Sequence, residues 1–532
     1  MAPHTRIRME TTRQILRVDP REIAYLRMTI ESYDGMAVVR TLDPQEALIE
    51  IQVAPGCENL ISALVTELKE KETIDINPEP VPGTKENRGA YSLGRYYHIV
   101  TMGCQMNEYD SDYMAQCLQH LQLLPTKDPK QADIILINTC TVREKAEQKA
   151  YSLLGRMLGL KKKRPGKIVG VTGCVAQQQG KDLLRRFPEL DLVLGPREIA
   201  KIQEGVRQAA LKRKKFVATS IGPEPPCAPA RRGYFEGHVK GYVSIMEGCN
   251  NFCTYCVVPY VRGRETSRAP GQIVKEVENL LSQGVKEVTL LGQNVNSYFY
   301  EQDNGYTFAR LLKTLDTLDG IKRIRFTTSH PKDLSNDLIA CFGSLKHLCP
   351  HIHLPFQAGS NKVLKAMHRG YTREKYLELI RKLRSVKPGI AITSDVMVGF
   401  PGETDQDFEE TLDLVKTVKF DSLFSFRYSD RKGTAAEKLP EKIPEPVKAS
   451  RLSKLQNIQK AITLKKNRAL VGAITPILVE GVSKRKGGQL TGRTDTNKIV
   501  NFCGDPKMIG HLVKVLIKEA FTNSLRGEAV KC

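Results

Sequence analysis

The sequence predicts a multidomain α/β protein: a small α+β N-terminal extension, an open parallel α/β sheet domain, a partial (β/α)6 barrel, and a small C-terminal antiparallel β-barrel of the OB-like kind. Three observations carry this. The chain has 532 residues, too many for one ordinary domain. Two stretches, 96–217 and 234–466, alternate short β-branched runs with helical periodicity, the pattern of βαβ units. After residue 467 that alternation stops, and short strand-like runs broken by glycine take over.

Within residues 1–95, ILRVD reads as a strand and REIAYLRMTIESY as a helix. GMAVVRTLD and ALIEIQVAP read as two further strands, and NLISALVTELKEK as a second helix. The β-α-β-β-α order fits a ferredoxin-like layer. INPEPVPGTKENRG, near residues 76–89, is rich in proline and charge and reads as a linker. In 96–217, YYHIVTM, ADIILIN and KIVGVTG are strand candidates, each followed by a helical pattern. The run KKKR at 161–164 reads as a solvated loop. In the next stretch YVSIMEG, VKEVTLLG, IKRIRFTTS, HIHLPF, IAITSDVMVGF and DSLFSFRYS are six strand candidates. Six βα units are too few to close an eight-stranded barrel, so an open one is expected. A charged helix follows near 446–466, and ITPILVEGV, GQLTGRTD, KIVNF, HLVKVLIKEA and SLRGEAV make the last barrel.

Composition narrows the function. Hydrophobic residues at 41% and charged residues at 26% exclude wholesale disorder and fibrous repeats. No apolar run approaches the roughly 18–20 residues of a spanning helix. MAPHTRIRMETTRQILRVD has no apolar segment of the secretory kind, so a cytoplasmic protein without membrane contact is expected. Lys and Arg number 81 against 59 Asp and Glu, a net charge of +22, which suits a polyanionic partner such as nucleic acid. Residues 467–532 alone hold 11 basic and 5 acidic side chains. Thirteen cysteines, an odd number in a chain of this size, point to metal or redox chemistry rather than a disulfide framework.

Two cysteine sets carry the chemistry. In EGCNNFCTYCVVPYVRGRE, Cys249, Cys253 and Cys256 have C-x3-C-x2-C spacing just after a predicted strand. Three thiolates on one loop can hold three irons of a cubane cluster and leave the fourth open. A zinc site would need a fourth ligand at zinc spacing, and no second C-x2-C exists. Cys104, Cys140 and Cys174 lie in HIVTMGCQMN, DIILINTCTV and KIVGVTGCVA, each just past a predicted parallel strand. Such strand ends share one edge of an open sheet, where ligands bind. Read alone, the second set is equally consistent with three buried structural cysteines. The remaining cysteines, Cys57, Cys117, Cys227, Cys341, Cys349, Cys503 and Cys532, read as structural or incidental; His351 and His353 flank a strand, and His353, which could face the barrel cavity, reads as a satisfied core histidine.

The cysteine loop at the first strand of a (β/α)6 barrel resembles the radical S-adenosylmethionine superfamily. Both cysteine sets and the order of the stretches resemble, more narrowly, its methylthiotransferase family. That family has an N-terminal α/β domain with an auxiliary 4Fe–4S cluster, a radical barrel and a C-terminal TRAM β-barrel. GCQMNEYDS, NTCTVREKA, LLGQNVNSY, FTTSHP and RGYT (369–372) look like its tRNA branch. The resemblance covers about 95–530 and leaves the first 95 residues without a family reading.

The resemblance implies two [4Fe–4S] clusters, one on Cys249, Cys253 and Cys256 and an auxiliary one on Cys104, Cys140 and Cys174. It implies S-adenosylmethionine bound at the open iron and cleaved on reduction to a 5′-deoxyadenosyl radical. Tyr255 would lie near the adenine. Gln293 stands where many relatives carry an acidic residue for the methionine amino group, and Gly399, Gly402 and Glu403 belong to a glycine-rich turn beside the cofactor. The implied reaction inserts sulfur at C2 of N6-dimethylallyladenosine next to the tRNA anticodon and methylates it. The threonylcarbamoyl nucleoside is the competing substrate, and a non-catalytic iron–sulfur RNA-binding protein the competing class. The tRNA anticodon loop and an electron-donor protein are the expected partners of a monomer. Lys484, Arg485 and Lys486 are candidate phosphate contacts.

Overall fold

The computed structural model describes residues 11–32, 36–43, 47–54, 57–71, 74, 76–79, 93–141, 144–222, 233–483 and 488–530. The chain divides into two units, Met1–Tyr91 and Ser92–Cys532.

In the first unit the strands are β1 (Thr12–Val18), β2 (Ala37–Asp43), β3 (Leu48–Val53) and β4 (Ile76–Glu79), and the helices α1 (Ile23–Glu31) and α2 (Glu58–Lys71). The sheet order is β2-β3-β1-β4, antiparallel throughout, which is the ferredoxin-like arrangement. Alternating burial at the start of β2 meets helical spacing on α1: Leu26 and Ile30 pack with Val39, Ile49 and Ile51 in one core. The stretch expected as a linker contributes β4. Ile76 is buried and closes the core, and the strand pairs only with β1, so Pro78 sits on an edge that can do without its N–H.

The second unit opens with a six-stranded parallel sheet. Its strands are β5 (Tyr96–Thr101), β6 (Leu124–Pro125), β7 (Ile134–Thr139), β8 (Ile168–Gly173), β9 (Leu192–Leu194) and β10 (Phe216–Ala218), in the order β10-β9-β8-β7-β5-β6. Every residue of β7 and β8 is buried, as central parallel strands require. KKKR is not a free loop. Lys161 and Lys162 end a helix (Glu144–Lys163) and pair with Asp191 and Glu189, while Arg164 pairs with Asp133.

All six expected barrel strands are present: Lys240–Ser244, Glu287–Leu291, Arg323–Phe326, His351–His353, Ala391–Val398 and Ser422–Arg427. They form two parallel three-stranded sheets joined where Ile324 exchanges backbone bonds with His347 and Cys349. The five C-terminal strands close into a barrel in the order 1-2-3-5-4. It is antiparallel except for the pairing of Ile499–Cys503 with Leu525–Ala529, the OB-like crossing. Arg323 and Arg325 seat this barrel by donating to the carbonyls of Arg493, Thr494 and Asp495, with Glu287 3.0 Å from Arg325 as counter-charge. Among the described residues no helix is long and apolar enough to cross a membrane.

Candidate functional site

Cys104, Cys140 and Cys174 follow β5, β7 and β8, which are consecutive in the sheet. Three thiols 36 and 34 residues apart in sequence therefore reach one sheet edge. Two glycines set the approach. Gly103 has φ +146° and its missing Cβ would lie 2.6 Å from the Cβ of Cys140. Gly173 has φ +85° and no room for a Cβ against the Thr139 carbonyl. Beneath the thiols, Asn107 on α3 (Gln105–His120) donates to Asn138 Oδ1 at 3.0 Å and to Thr139 O at 3.1 Å. Asn138 answers to Asn107 O at 2.8 Å. These buried, fully paired amides pin the first loop to the second. Cys104 is exposed; a hydrogen bond with Cys140 and the nearby Arg262 guanidinium lower its thiol to about 6. Burial raises Cys174, which also bonds Arg262. The buried hydroxyls of Thr141 and Thr172, beside Cys140 and Gly173, have no partner. Three thiols with unspent hydroxyl donors one and two residues from Cys140 and Cys174 fit an iron–sulfur group, whose sulfurs accept hydrogen bonds.

The second set hangs on one loop. Gly248, φ +85°, leaves its N–H 2.5 Å from Gln293 Oε1. Cys249 N bonds Gly263 O at 3.1 Å, and Asn251 donates to Cys249 Sγ at 3.5 Å. Arg369, buried, donates to Cys253 Sγ at 3.2 Å and to Tyr255 OH at 3.4 Å. Burial, reinforced by the neighbouring Cys253, pushes Cys256 up to about 12. Around the loop lie buried polar atoms without partners: Gln293 Nε2, Asn294 Oδ1, Ser329 Oγ and His330 Nε2. Burial pulls His330 down to about 2, so its ring is neutral, and Nδ1 already accepts from Lys332 N. Three thiols surrounded by such unspent polar capacity suit a cluster with a polar, zwitterionic ligand. Among the described residues no three Cys, His, Asp or Glu side chains are drawn closely enough together to grip a single metal ion.

The other predicted residues fall as follows. Tyr255 packs against Phe400, Met367 and Tyr428, next to the glycine-rich turn. Gly399 and Gly402 have φ +74° and +77°. The Glu403 carboxylate accepts from Gly399 N at 2.9 Å and from Arg451 at 2.7 Å, so it shapes the turn from within. Lys484, Arg485 and Lys486 lie outside the described residues, as do Cys227 and Cys532. Cys117, Cys341 and Cys349 are buried, Cys57 is half-buried and Cys503 is exposed.

The two sets are neighbours. Cys174 packs against Val257, the residue after Cys256. A buried ion network ties them: Arg262 reaches Asp110 on α3 at 2.8 Å and Glu247 at 2.6 Å, and Arg197 lies 3.4 Å from Glu247. A cavity of about 590 Å3 runs from Cys104 into the barrel, lined by His351, His353, Thr393 and Phe424, and ends against the C-terminal barrel at Lys498. Both histidines line this cavity, the position open to His353 in the sequence, and both are satisfied by the Thr393 hydroxyl, at 3.1 and 3.0 Å. Sequence reading missed Arg369, Arg262 and Arg197 as site residues. RGYT and RGRE were visible as motifs, but nothing local tells which distant group each arginine meets.

Family models match in the same order as the folds: the Radical SAM superfamily at 243–415, Uncharacterized protein family UPF0004 at 96–195 and the TRAM domain at 468–530. A Domain of unknown function (DUF4911) matches 16–71. The chain is 50% identical over 434 residues to the tRNA-2-methylthio-N(6)-dimethylallyladenosine synthase of Syntrophus aciditrophicus, covering 82% of this chain and 94% of that one. It is 51% identical to that of Syntrophobacter fumaroxidans, over 82% and 95%, and 48% identical to that of Geobacter sulfurreducens, over 82% and 98%. Among solved structures, the radical S-adenosylmethionine methyltransferase TsrM from Kitasatospora setae aligns with a TM-score of 0.48 at 15% identity, over 74% of this chain and 82% of that one. With about half its residues shared over nearly the whole length of those synthases, the chain belongs to the tRNA methylthiotransferase family of radical S-adenosylmethionine enzymes.

Proposed function

We propose that this protein is a transferase acting on N6-dimethylallyladenosine in tRNA, beside the anticodon, and converting it to 2-methylthio-N6-dimethylallyladenosine. The observation that carries the reading is the roughly 50% identity to synthases of that name across more than nine-tenths of their length. The C2–H bond of adenosine is not acidic, so no side-chain base can open it at neutral pH. Radical chemistry from a cofactor answers that need.

Cys249, Cys253 and Cys256 would hold one [4Fe–4S] cluster, and Cys104, Cys140 and Cys174 a second. When bound, the first supplies the electron that cleaves S-adenosylmethionine, and the second supplies sulfur. The chain's own part is placement. Gln293 spends its oxygen on Gly248, which leaves its NH2 to donate. A donor suits the methionine carboxylate rather than the amino group. Tyr255 and Phe400 wall the adenine side, where Gly399 and Gly402 give the backbone its turn. The cavity between Cys104 and Phe424 takes the target nucleoside, unstacked from its loop. The C-terminal barrel binds tRNA backbone, with Lys484, Arg485 and Lys486 among its phosphate contacts. A separate protein donates electrons, and the enzyme works as a monomer in the cytoplasm.

The test is mass spectrometry of tRNA nucleosides from a host that makes dimethylallyladenosine but lacks its methylthiolation. Carrying this gene, the host gains the 2-methylthio nucleoside; with Cys253→Ala or Cys140→Ala it does not. Unmodified dimethylallyladenosine despite soluble, iron-loaded protein would overturn the substrate, and the threonylcarbamoyl nucleoside would be the next peak examined.

A further inference from the structure

Arg369 lies more than a hundred residues beyond the cysteine loop, yet it is the cation whose hydrogen bond ends on one of that loop's sulfurs. The residue is 5% exposed. Four groups fix it: Cys253 Sγ at 3.2 Å, Tyr255 OH at 3.4 Å, Tyr371 OH at 3.3 Å and Pro355 O at 3.2 Å. None of those partners is a carboxylate. The other charges near the loop are placed differently. Lys332 spends its ammonium on Asn251 Oδ1 at 2.6 Å, and Glu265 accepts from the backbone N–H of Asn250 at 3.3 Å. Arg262 belongs to the network with Asp110 and Glu247 and bonds Cys174 of the other set.

A buried cation with no carboxylate partner is costly unless something anionic completes it. The loop supplies that anion once its thiols are thiolates around a metal cluster. The charge of such a cluster grows by one when it is reduced, so a fixed cation bonded to a ligand sulfur favours the reduced state. Hydrogen bonds to cluster sulfurs and net charge around them are the protein's levers on potential.

We propose that Arg369 is a positioning residue that raises the reduction potential of the cluster held by Cys249, Cys253 and Cys256, through its hydrogen bond to Cys253. This rests on the reading that those three cysteines hold a cluster. Losing the charge leaves the cluster bound and harder to reduce, while the auxiliary site, which has its own arginine, keeps its potential.

The experiment is a potentiometric titration of the iron- and sulfide-loaded full-length enzyme, followed by electron paramagnetic resonance. The signal that changes on adding S-adenosylmethionine identifies the cluster in question. At the wild-type midpoint, Arg369→Gln is expected to raise the ratio of oxidised to reduced cluster about tenfold, a downward shift of about 59 mV for one electron. Arg369→Lys, which keeps the charge, stays within threefold of wild type. If Gln fails to fold, Arg369→Met removes the charge at similar length and gives the same readout. An unchanged midpoint, equal shifts in Lys and Gln, or weakened S-adenosylmethionine binding at an unchanged midpoint would each overturn the proposal. Absence of any signal responsive to S-adenosylmethionine in the loaded wild type overturns the cluster reading instead.

Discussion

Thiol chemistry at the single residue separates Cys104 from Cys256. Cys104 is exposed and its thiol is lowered to about 6, whereas Cys256 is pushed up to about 12. These shifts favour the thiolate of Cys104 and the thiol of Cys256 at pH 7 in iron-free protein. The thiolate is the reactive form, so iodoacetamide should label Cys104 before Cys256, with Cys104 labelling falling to half near pH 6. Peptide mass spectrometry over a time course reads this directly, and equal rates at the two positions would refute it. Phe424 makes a second case. It is 51% exposed, lines the cavity and stands edge-on to His353 at 6.1 Å. Base stacking on an aromatic ring is worth about 1–3 kcal/mol. Phe424→Ala should weaken binding of the anticodon stem-loop about tenfold, while Phe424→Tyr should not; a fluorescence titration distinguishes them.

Elements carry the site by their ends. Gly173 joins β8 to the helix that starts at Cys174, in a conformation a side chain rarely adopts and with no room for one. Gly173→Ala should cost about 1–3 kcal/mol in urea denaturation and lower the iron loading of the auxiliary set. Gly389, with φ +81° and open space around it, should cost only about 1 kcal/mol on the same change and leave iron loading intact. The strands that build these ends were legible because each combines β-branched residues with a helical pattern after it. Among the numbered strands, those that escaped sequence reading, β4, β6, β9 and β10, are two to four residues long and carry too little periodicity to stand out. The cysteine loop was legible from spacing alone. The auxiliary set needed the sheet order as well, because its thiols meet only when β5, β7 and β8 lie side by side. Arg197, Arg262 and Arg369 were not legible: each acts on a group 15 to 152 residues away, and a basic residue in a loop looks the same whether it meets solvent or a buried carboxylate.

At the scale of the molecule, charge is divided unequally. The first unit, Met1–Tyr91, holds 11 basic and 15 acidic residues, a net of −4 in a chain of +22. Its charge is wrong for a phosphate backbone. Deleting residues 1–91 should leave tRNA affinity at 150 mM salt equal or tighter, and should leave the nucleoside product in place; a tenfold loss in a filter-binding titration would show that the unit grips RNA. The second unit is held together across its lobes by buried charge. Arg197→Ala takes one of two arginines from Glu247, which keeps Arg262 at 2.6 Å, and leaves the carbonyls of Arg262 and Arg264 without that donor; it should cost about 1–3 kcal/mol, read as a lower urea midpoint. The placement of Cys104, Cys140 and Cys174 on three consecutive strands also bears on how the enzyme is made. During synthesis, Cys174 leaves the ribosome 75 residues ahead of Cys249. At about 5–20 residues per second this is a lead of roughly 4–15 s. These three thiols can thus gather on a nascent chain before the other loop exists; under the two-cluster proposal, iron delivery then proceeds in two acts, with a growing polypeptide as the first acceptor.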